Sequence, residues 1–555
     1  MRRLLLALKP LLATVMAGLL LFSHSGLAAL SFSEFEPGDR PAEYALSGDI
    51  SLDFSEVKIA ELKGEGWLQG QHGPLPPIVF SVVSDDRYVV PIQRSVQTTD
   101  NLYWDYIVGA GQSWQEGSKS VASLPFTLIF RWVNCSHNGA IKLTYDDKRI
   151  TRAELLVGQE TCHFKRVNIA GRGKADYRPG VHTSSDEVLV QFREERARRW
   201  PVYTLEDFER DHQAVDLRLF RTGLPDDDDL STLGFYYQGK HYNGGCNTRF
   251  GPYPYCDDMV MTSFSTAKSA FAGLALLSLA EEFGPDVMKT RIVDLLPEAK
   301  DAKGDWRGVT LDHVADMTTG NFAIRSPMAD ADPGGFYTDG DRAQKLLAAF
   351  NSPYAEPPGE VFIYQTADTF IQIAAMDAYL QQHSKAHTDA FDYVVDRIYK
   401  PLHVSPDVLF TRRTRDDGLF NSGTAFGGMG MFWTTDAVVK VADFLQTGGK
   451  IDGRQLLHAE LLEATLQRDP DDRGMETDFF NFLYNNNLWA VALKPFGPEY
   501  GCNPHVTWMS GLSGVRVYLM PNDLVVYYFN DAQAFPLPGQ IAAANKIKRF
   551  CPPAS

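Results

Sequence analysis

Met259-Val260-Met261-Thr262-Ser263-Phe264-Ser265-Thr266-Ala267-Lys268 runs directly into Ser269-Ala270-Phe271-Ala272-Gly273-Leu274-Ala275-Leu276-Leu277-Ser278-Leu279-Ala280. The second part is apolar on most faces, which predicts a buried helix. Gly284-Pro285 supplies its stop signal. Ser265 and Lys268, three residues apart at the helix start, share one face. An amine beside a hydroxyl can take its proton and make a poor nucleophile a useful one. The same spacing occurs at Ser55-Glu56-Val57-Lys58, but there the stretch is polar and alternating and no apolar helix follows. The competing reading of Ser265 is an N-cap on a core helix.

Working outward, residues from about 204 read as helices framed by strands. Phe235 to Tyr242 reads as a hairpin around Gly239. Val515 to Met520, the turn Pro521-Asn522-Asp523, and Leu524 to Phe529 return to strands at the other end. A sheet drawn from both ends of a domain, with helices between, is an α+β arrangement. Residues 29–203 read differently. Ile78 to Val83, Phe126 to Val133, Ala140 to Tyr145 and Val188 to Phe192 are short β-branched or aromatic runs. Ser84-Asp85-Asp86 and Ser136-His137-Asn138-Gly139 separate them as turns. That pattern predicts a β-rich, sandwich-like N-terminal domain. It carries no catalytic constellation. Two domains are also what 555 residues lead one to expect.

The formal net charge of −17 argues against a nucleic-acid partner. The basic cluster Arg193 to Arg199 is broken by Glu194 and Glu195 and reads as a solvated face. Asp226 to Asp229 reads as a solvated acidic loop, with a calcium site as the alternative. Residues 1–28 resemble a signal peptide: Arg2 and Arg3, an apolar core from Leu11 to Phe22, and Gly26-Leu27-Ala28 for cleavage. An uncleaved anchor is the alternative. The expectation is a periplasmic or secreted protein with no stable membrane insertion after cleavage. Export permits disulfides. Six cysteines allow fifteen connectivities. Proximity along the chain suggests Cys135–Cys162, Cys246–Cys256 and Cys502–Cys551. Cys135-Ser136-His137 and Cys502-Asn503-Pro504-His505 do not form a zinc spacing, so no metal is expected.

Residues from about 204 to 535 resemble the serine β-lactamase and penicillin-binding-protein superfamily, and most of all its class C-like branch, with esterases and 6-aminohexanoate-oligomer hydrolases. Ser265-Thr266-Ala267-Lys268 matches the nucleophile motif. Ile292 to Pro297, Val309 to Val314 and Thr318-Thr319-Gly320 are similar to the stretch that follows it. Pro358-Gly359-Glu360-Val361-Phe362-Ile363-Tyr364-Gln365-Thr366 is similar to the segment carrying the second motif. Gly427-Gly428-Met429-Gly430-Met431 with Thr434-Thr435-Asp436 resembles a later Gly-rich turn and helix start. The resemblance implies an antiparallel sheet plus a helical region, no cofactor, and acyl transfer from a small-molecule ester or amide to a serine and then to water. Ser265 would attack, Lys268 would ease removal of its proton, and Tyr364 would be the acid/base partner, its phenol made more acidic by the ammonium. Backbone N–H groups of Ser265 and near Leu512 would hold the oxyanion.

Two positions depart from the pattern. Thr366 stands where the motif has Asn, leaving a hydroxyl of shorter reach. The third motif reads Met509-Ser510-Gly511, and Met cannot supply the positive charge that a Lys or His would. That favours an ester, or a less anionic amide, over a β-lactam or a peptide terminus. His505 and Arg516 lie near enough in sequence to restore a charge, with structural roles as the alternative. A second Tyr-x-Asn, Tyr484-Asn485-Asn486, comes late in the chain, and motif order favours Tyr364. A non-catalytic binding protein keeping the fold is the rival of another class.

Overall fold

The computed structural model describes residues 30–328, 330, 335–338, 340–418 and 420–552. The signal-peptide reading of residues 1–28 lies outside them. The three disulfides pair as chain proximity suggests: Cys135–Cys162, Cys246–Cys256 and Cys502–Cys551.

The first sheet is built from β1 (Gly48–Asp53), β2 (Ile59–Gly64), β3 (Ile78–Asp85), β4 (Tyr88–Pro91), β5 (Trp104–Val108), β6 (Gly111–Glu116), β7 (Lys119–Phe130), β8 (Cys135–Tyr145), β9 (Ile150–Thr161) and β10 (Lys165–Pro179). Each strand pairs antiparallel with its neighbours, and β1 pairs with both β3 and β10. The sheet therefore closes on itself. It is an up-and-down barrel and not the expected sandwich. β1 and β2 share one edge of β10, and β5 and β6 share one edge of β7, so ten strands make an eight-walled ring. Alternation survives on β1, where Ile50 and Leu52 point inward. It disappears on β7, β8 and β9, whose residues are buried on both faces. Trp104, Phe130 and His137 meet inside the ring, with centroids 5.0 and 5.4 Å from that of Trp104.

Two local expectations are corrected. Ser136 to Gly139 lies within β8, and the turn falls at Arg131 to Asn134, where Asn134 takes φ 53°. Polar residues sit in this strand because its outer face is covered by protein: Asn138 donates from Nδ2 to Val260 O at 2.8 Å and accepts from Val260 N at 3.2 Å. Val188 to Phe192 is part of helix α1 (Ser185–Ala197) and not a strand. Its acidic first turn, Asp186 and Glu187, favours a helix start. Phe192 and Glu195 supply the buried face.

The second sheet has strand β11 (Val202–Tyr203), β12 (Leu230–Tyr237), β13 (Lys240–Asn243), β14 (Met475–Glu476), β15 (Phe482–Asn485), β16 (Leu488–Ala492), β17 (His505–Gly511), β18 (Val515–Leu519) and β19 (Val525–Asn530). Their order is β11-β13-β12-β19-β18-β17-β16-β15-β14, antiparallel except β11 with β13. Strands from both ends of this region thus share one sheet, with helices inserted between, as the α+β reading expects. The hairpin turns at Gln238 and Gly239, both at positive φ. One sheet face packs with α4 (Pro538–Ile547) through Trp508, Tyr518 and Tyr528. The other carries Met509, Val517 and Tyr527 into the core of the helical region, which includes α2 (Leu274–Phe283), and the helix Thr435–Gln446 packs on β12, β18 and β19.

A buried ionic cluster joins barrel, α1 and helical region. The Arg94 guanidinium, 7% exposed, donates to Asp407 at 2.6 and 3.0 Å, to Glu195 at 2.9 Å and to Ser405 at 3.2 Å. Removing one member of such a cluster leaves uncompensated charge in a dry place. Arg94→Ala is expected to lower stability by roughly 3–5 kcal/mol, read by thermal or denaturant unfolding. An unchanged midpoint would mean that the cluster holds nothing together.

Candidate active site

Ser265 sits in a tight turn at the mouth of the apolar helix, with Lys268 N donating to Ser265 O at 3.0 Å. The helix opens as one wide π turn, Lys268–Gly273, and continues as α2. The turn is held from both sides. Met261–Thr262 pairs with Phe432–Trp433, Ser263 N donates to Met431 O at 3.0 Å, and Trp433 Nε1 donates to Thr266 Oγ1 at 2.9 Å. The Gly-rich turn at 427–431 therefore lies against the Ser265 segment.

Lys268 is 1% exposed. Its Nζ lies 3.1 Å from Ser265 Oγ, 2.8 Å from Thr366 Oγ1 and 3.3 Å from Gly428 O. Nζ also stands 4.7 Å from the centroid of the Tyr364 ring. The structure thus gathers Ser265, Lys268, Tyr364 and Thr366. Tyr364 is buried, its ring 5.5 Å from Trp489 and 6.3 Å from Tyr484. The late Tyr484-Asn485-Asn486 motif is therefore a spatial neighbour of the site, although the contacts of Lys268 go to Tyr364 and Thr366.

Gly511 ends β17 against the same turn. A Cβ there would stand 2.6 Å from Ser263 O and 3.1 Å from Phe264 Cβ. Ser510 and Leu512 flank it, Leu512 being exposed. Met509 is fully buried, so this position presents no charge. Arg516 pairs across from Ser510 in β18, its guanidinium over the Trp508 ring at 5.1 Å. His505 opens β17, away from Gly511 at its other end, and lines a separate cavity of about 360 Å³ with Arg473 and Asp523.

Two participants carry no sequence signal that singles them out. Asp330 accepts from Thr366 N at 2.7 Å and from Thr366 Oγ1 at 3.0 Å, and so caps helix α3 (Thr366–His383) from a distant loop. A chain of contacts then runs Ser265–Lys268–Thr366–Asp330. Gly428 was visible only as part of a Gly-rich turn. A Cβ on it would stand 2.6 Å from Thr366 Cγ2 and 3.3 Å from Lys268 Nζ. One turn into α3, burial pushes the Asp368 carboxyl up to about 8, against hydrogen bonds from Gln365 and Thr319 that pull it down.

No family model matches the chain, and no curated protein sequence matches it. Among solved structures it is similar to a D-stereospecific amidohydrolase from Streptomyces sp., at 14% identity and TM-score 0.42, covering 60% of this chain and 97% of that one. It is also similar to the hydrolase EstCE1, with promiscuous acyltransferase activity, at 14% identity and TM-score 0.43, covering 61% and 97%. A mutant class C β-lactamase matches at 13% identity and TM-score 0.42, covering 60% and 96%.

Gly428→Ala is expected to slow covalent labelling at Ser265 at least about tenfold by displacing Lys268 and Thr366, with the fold retained. The labelling rate by a fluorophosphonate measures it. For Asp368 the folded carboxyl binds its proton more tightly than the unfolded one. Its stabilising contribution is full below about pH 4 and is lost as pH rises through about 8. Asp368→Asn should therefore gain thermal stability over wild type progressively across that window. Parallel melting curves from pH 4 to 9 would overturn this.

Proposed function

We propose that the protein is an exported serine hydrolase that transfers an acyl group through Ser265. On this reading residues 204–555 form the hydrolase unit and residues 29–203 the domain that precedes it. The observation that carries the reading is the contact of a buried amine, Lys268 Nζ, with Ser265 Oγ at 3.1 Å. The Lys268–Tyr364 pair accepts the hydroxyl proton as Ser265 Oγ attacks a carbonyl carbon. The C–O bond forms, and the carbonyl electrons move to oxygen beside the backbone N–H groups of Ser265 and Leu512. Collapse expels the alcohol or amine, which takes a proton from the Lys268–Tyr364 pair, and water releases the acyl group by the reverse route. Thr366, held by Asp330, accepts from Lys268 Nζ and fixes the amine. Three disulfides support export. No helix among the described residues is long and apolar enough to cross a membrane.

Ester or weakly anionic amide substrates fit best, because Met509 is buried and offers no charge to a carboxylate. β-Lactams and D,D-peptides are the second choice, because Arg516 lies on the sheet face of Trp508 and Tyr518 and not on that of Met509.

Intact-mass spectrometry with a fluorophosphonate should show one adduct on wild type and none on Ser265→Ala. A folded wild type without adduct would move weight to a binding protein. p-Nitrophenyl esters should turn over faster than nitrocefin, and the opposite order would overturn the argument from Met509.

A further inference from the structure

The residues on either side of the oxyanion backbone are both in the left-handed region. Phe264, at φ 41°, precedes Ser265, and Ser513, at φ 69°, follows Leu512. For a residue with a side chain this conformation is strained and persists where the surroundings over-determine it. Here consecutive residues of the barrel are part of those surroundings. The β9–β10 loop, Cys162-His163-Phe164, reaches out of the ring to both. His163 N donates to Ser513 Oγ at 3.1 Å, and His163 Nδ1 lies 2.8 Å from the same oxygen. The Phe164 ring lies 6.5 Å from that of Phe264 and the His163 and Phe164 rings are 3.7 Å apart. The loop is itself clamped, by the Cys135–Cys162 disulfide and by Glu65 N donating to Phe164 O at 3.0 Å.

We propose that the barrel is a working part of the catalytic site: His163 and Phe164 are positioning residues that hold Ser513 and Phe264, and through them the backbone N–H groups that receive the oxyanion. This rests on the reading of Ser265 as nucleophile. The hydrogen-bond chemistry is self-consistent. Ser513 Oγ accepts from the His163 backbone N–H and still has a proton and a lone pair, so it meets Nδ1 in either neutral tautomer. Burial keeps the imidazole neutral, its titration lowered to about 4. Ser513 is fully buried, and its carbonyl accepts from Gln533 N at 2.7 Å, so the residue is held at both ends. Gly511 packs without room for a side chain against Ser263 and Phe264, so a shift at Ser513 reaches the nucleophile turn. Oxyanion donors act mainly in the transition state, so loosening them lowers kcat and leaves KM nearly unchanged.

The test uses the full chain and p-nitrophenyl acetate, with kcat, KM and melting temperature measured for wild type, Ser265→Ala, His163→Ala, Ser513→Ala and the His163→Ala/Ser513→Ala pair. His163→Asn offers a side-chain acceptor again. His163→Ala and Ser513→Ala should each lower kcat roughly 10- to 100-fold with KM changed less than about twofold. The pair should lose no more than either alone, and His163→Asn should recover part of the rate. Turnover that depends on Ser265 but is unmoved by His163→Ala overturns the proposal alone. So does a loss that simply adds between the two sites, or one that His163→Asn fails to relieve although it melts like wild type. Turnover that persists in Ser265→Ala overturns the nucleophile reading and this proposal with it. If His163→Ala does not fold, Ser513→Ala on its own decides by the same split between kcat and KM.

Discussion

A primary amine with 1% exposure must be given oxygen atoms or it cannot be kept in the interior. Lys268 receives three, and they come from Ser265, Thr366 and Gly428, in segments up to 160 residues apart. Much of the architecture around the site follows from meeting that demand at one point. The Gly-rich turn has to come close enough for a carbonyl to reach the amine, which leaves no room for a side chain at 428. The first turn of α3 has to present Thr366, and Asp330 holds it there. The nucleophile turn has to keep Ser265 within reach, so it is fixed by the Met261–Thr262 pairing on one flank and by Trp433 on the other.

What could be seen in the sequence was whatever is local. The spacing of Ser265 and Lys268 is a property of one helical turn. The hairpin at Gly239 and the last two strands of the second sheet declare themselves within ten residues. Tyr364 and Thr366 emerged through the order of segments, a longer-range cue. What could not be seen depends on partners far along the chain. Closure of the ring requires β1 to pair with β10, and no local pattern announces that. Ser136 to Gly139 reads as a turn because its residues are polar, but a strand covered on both faces can bury polar groups when the covering protein answers their hydrogen bonds, as Val260 answers Asn138. Val188 to Phe192 has the composition of a strand and lies in a helix, where its neighbours set the period. Asp330, His163 and Ser513 acquire meaning only through contacts across the fold.

The barrel is not an appendage. Asn138 grips both the carbonyl and the N–H of Val260, and Asn134 exchanges hydrogen bonds with Thr262. Arg166 pairs with Asp229 and Asp531, and Arg249 with Glu160. The strands that carry most of these contacts are those whose outer faces have lost the polar alternation of a free surface. Closure of the ring leaves few strand edges free, and the lead-in to Ser265 is hydrogen-bonded to that wall.

The topology also orders events in time. Each wall of the ring is hydrogen-bonded to the next along the chain, so the ring is complete once residues up to Pro179 have been made. β12 pairs with β19 at the far end of the chain, and His241 finds Tyr527 across 286 residues. Chains fold from the N-terminus as they are synthesised, and contacts between distant segments form last. Met259 to Thr262 therefore emerges beside a finished barrel and long before the sheet that completes the site. All strands of the ring precede the Ser265 segment, so the ring is available as a mould for that segment before the last strands of the second sheet arrive.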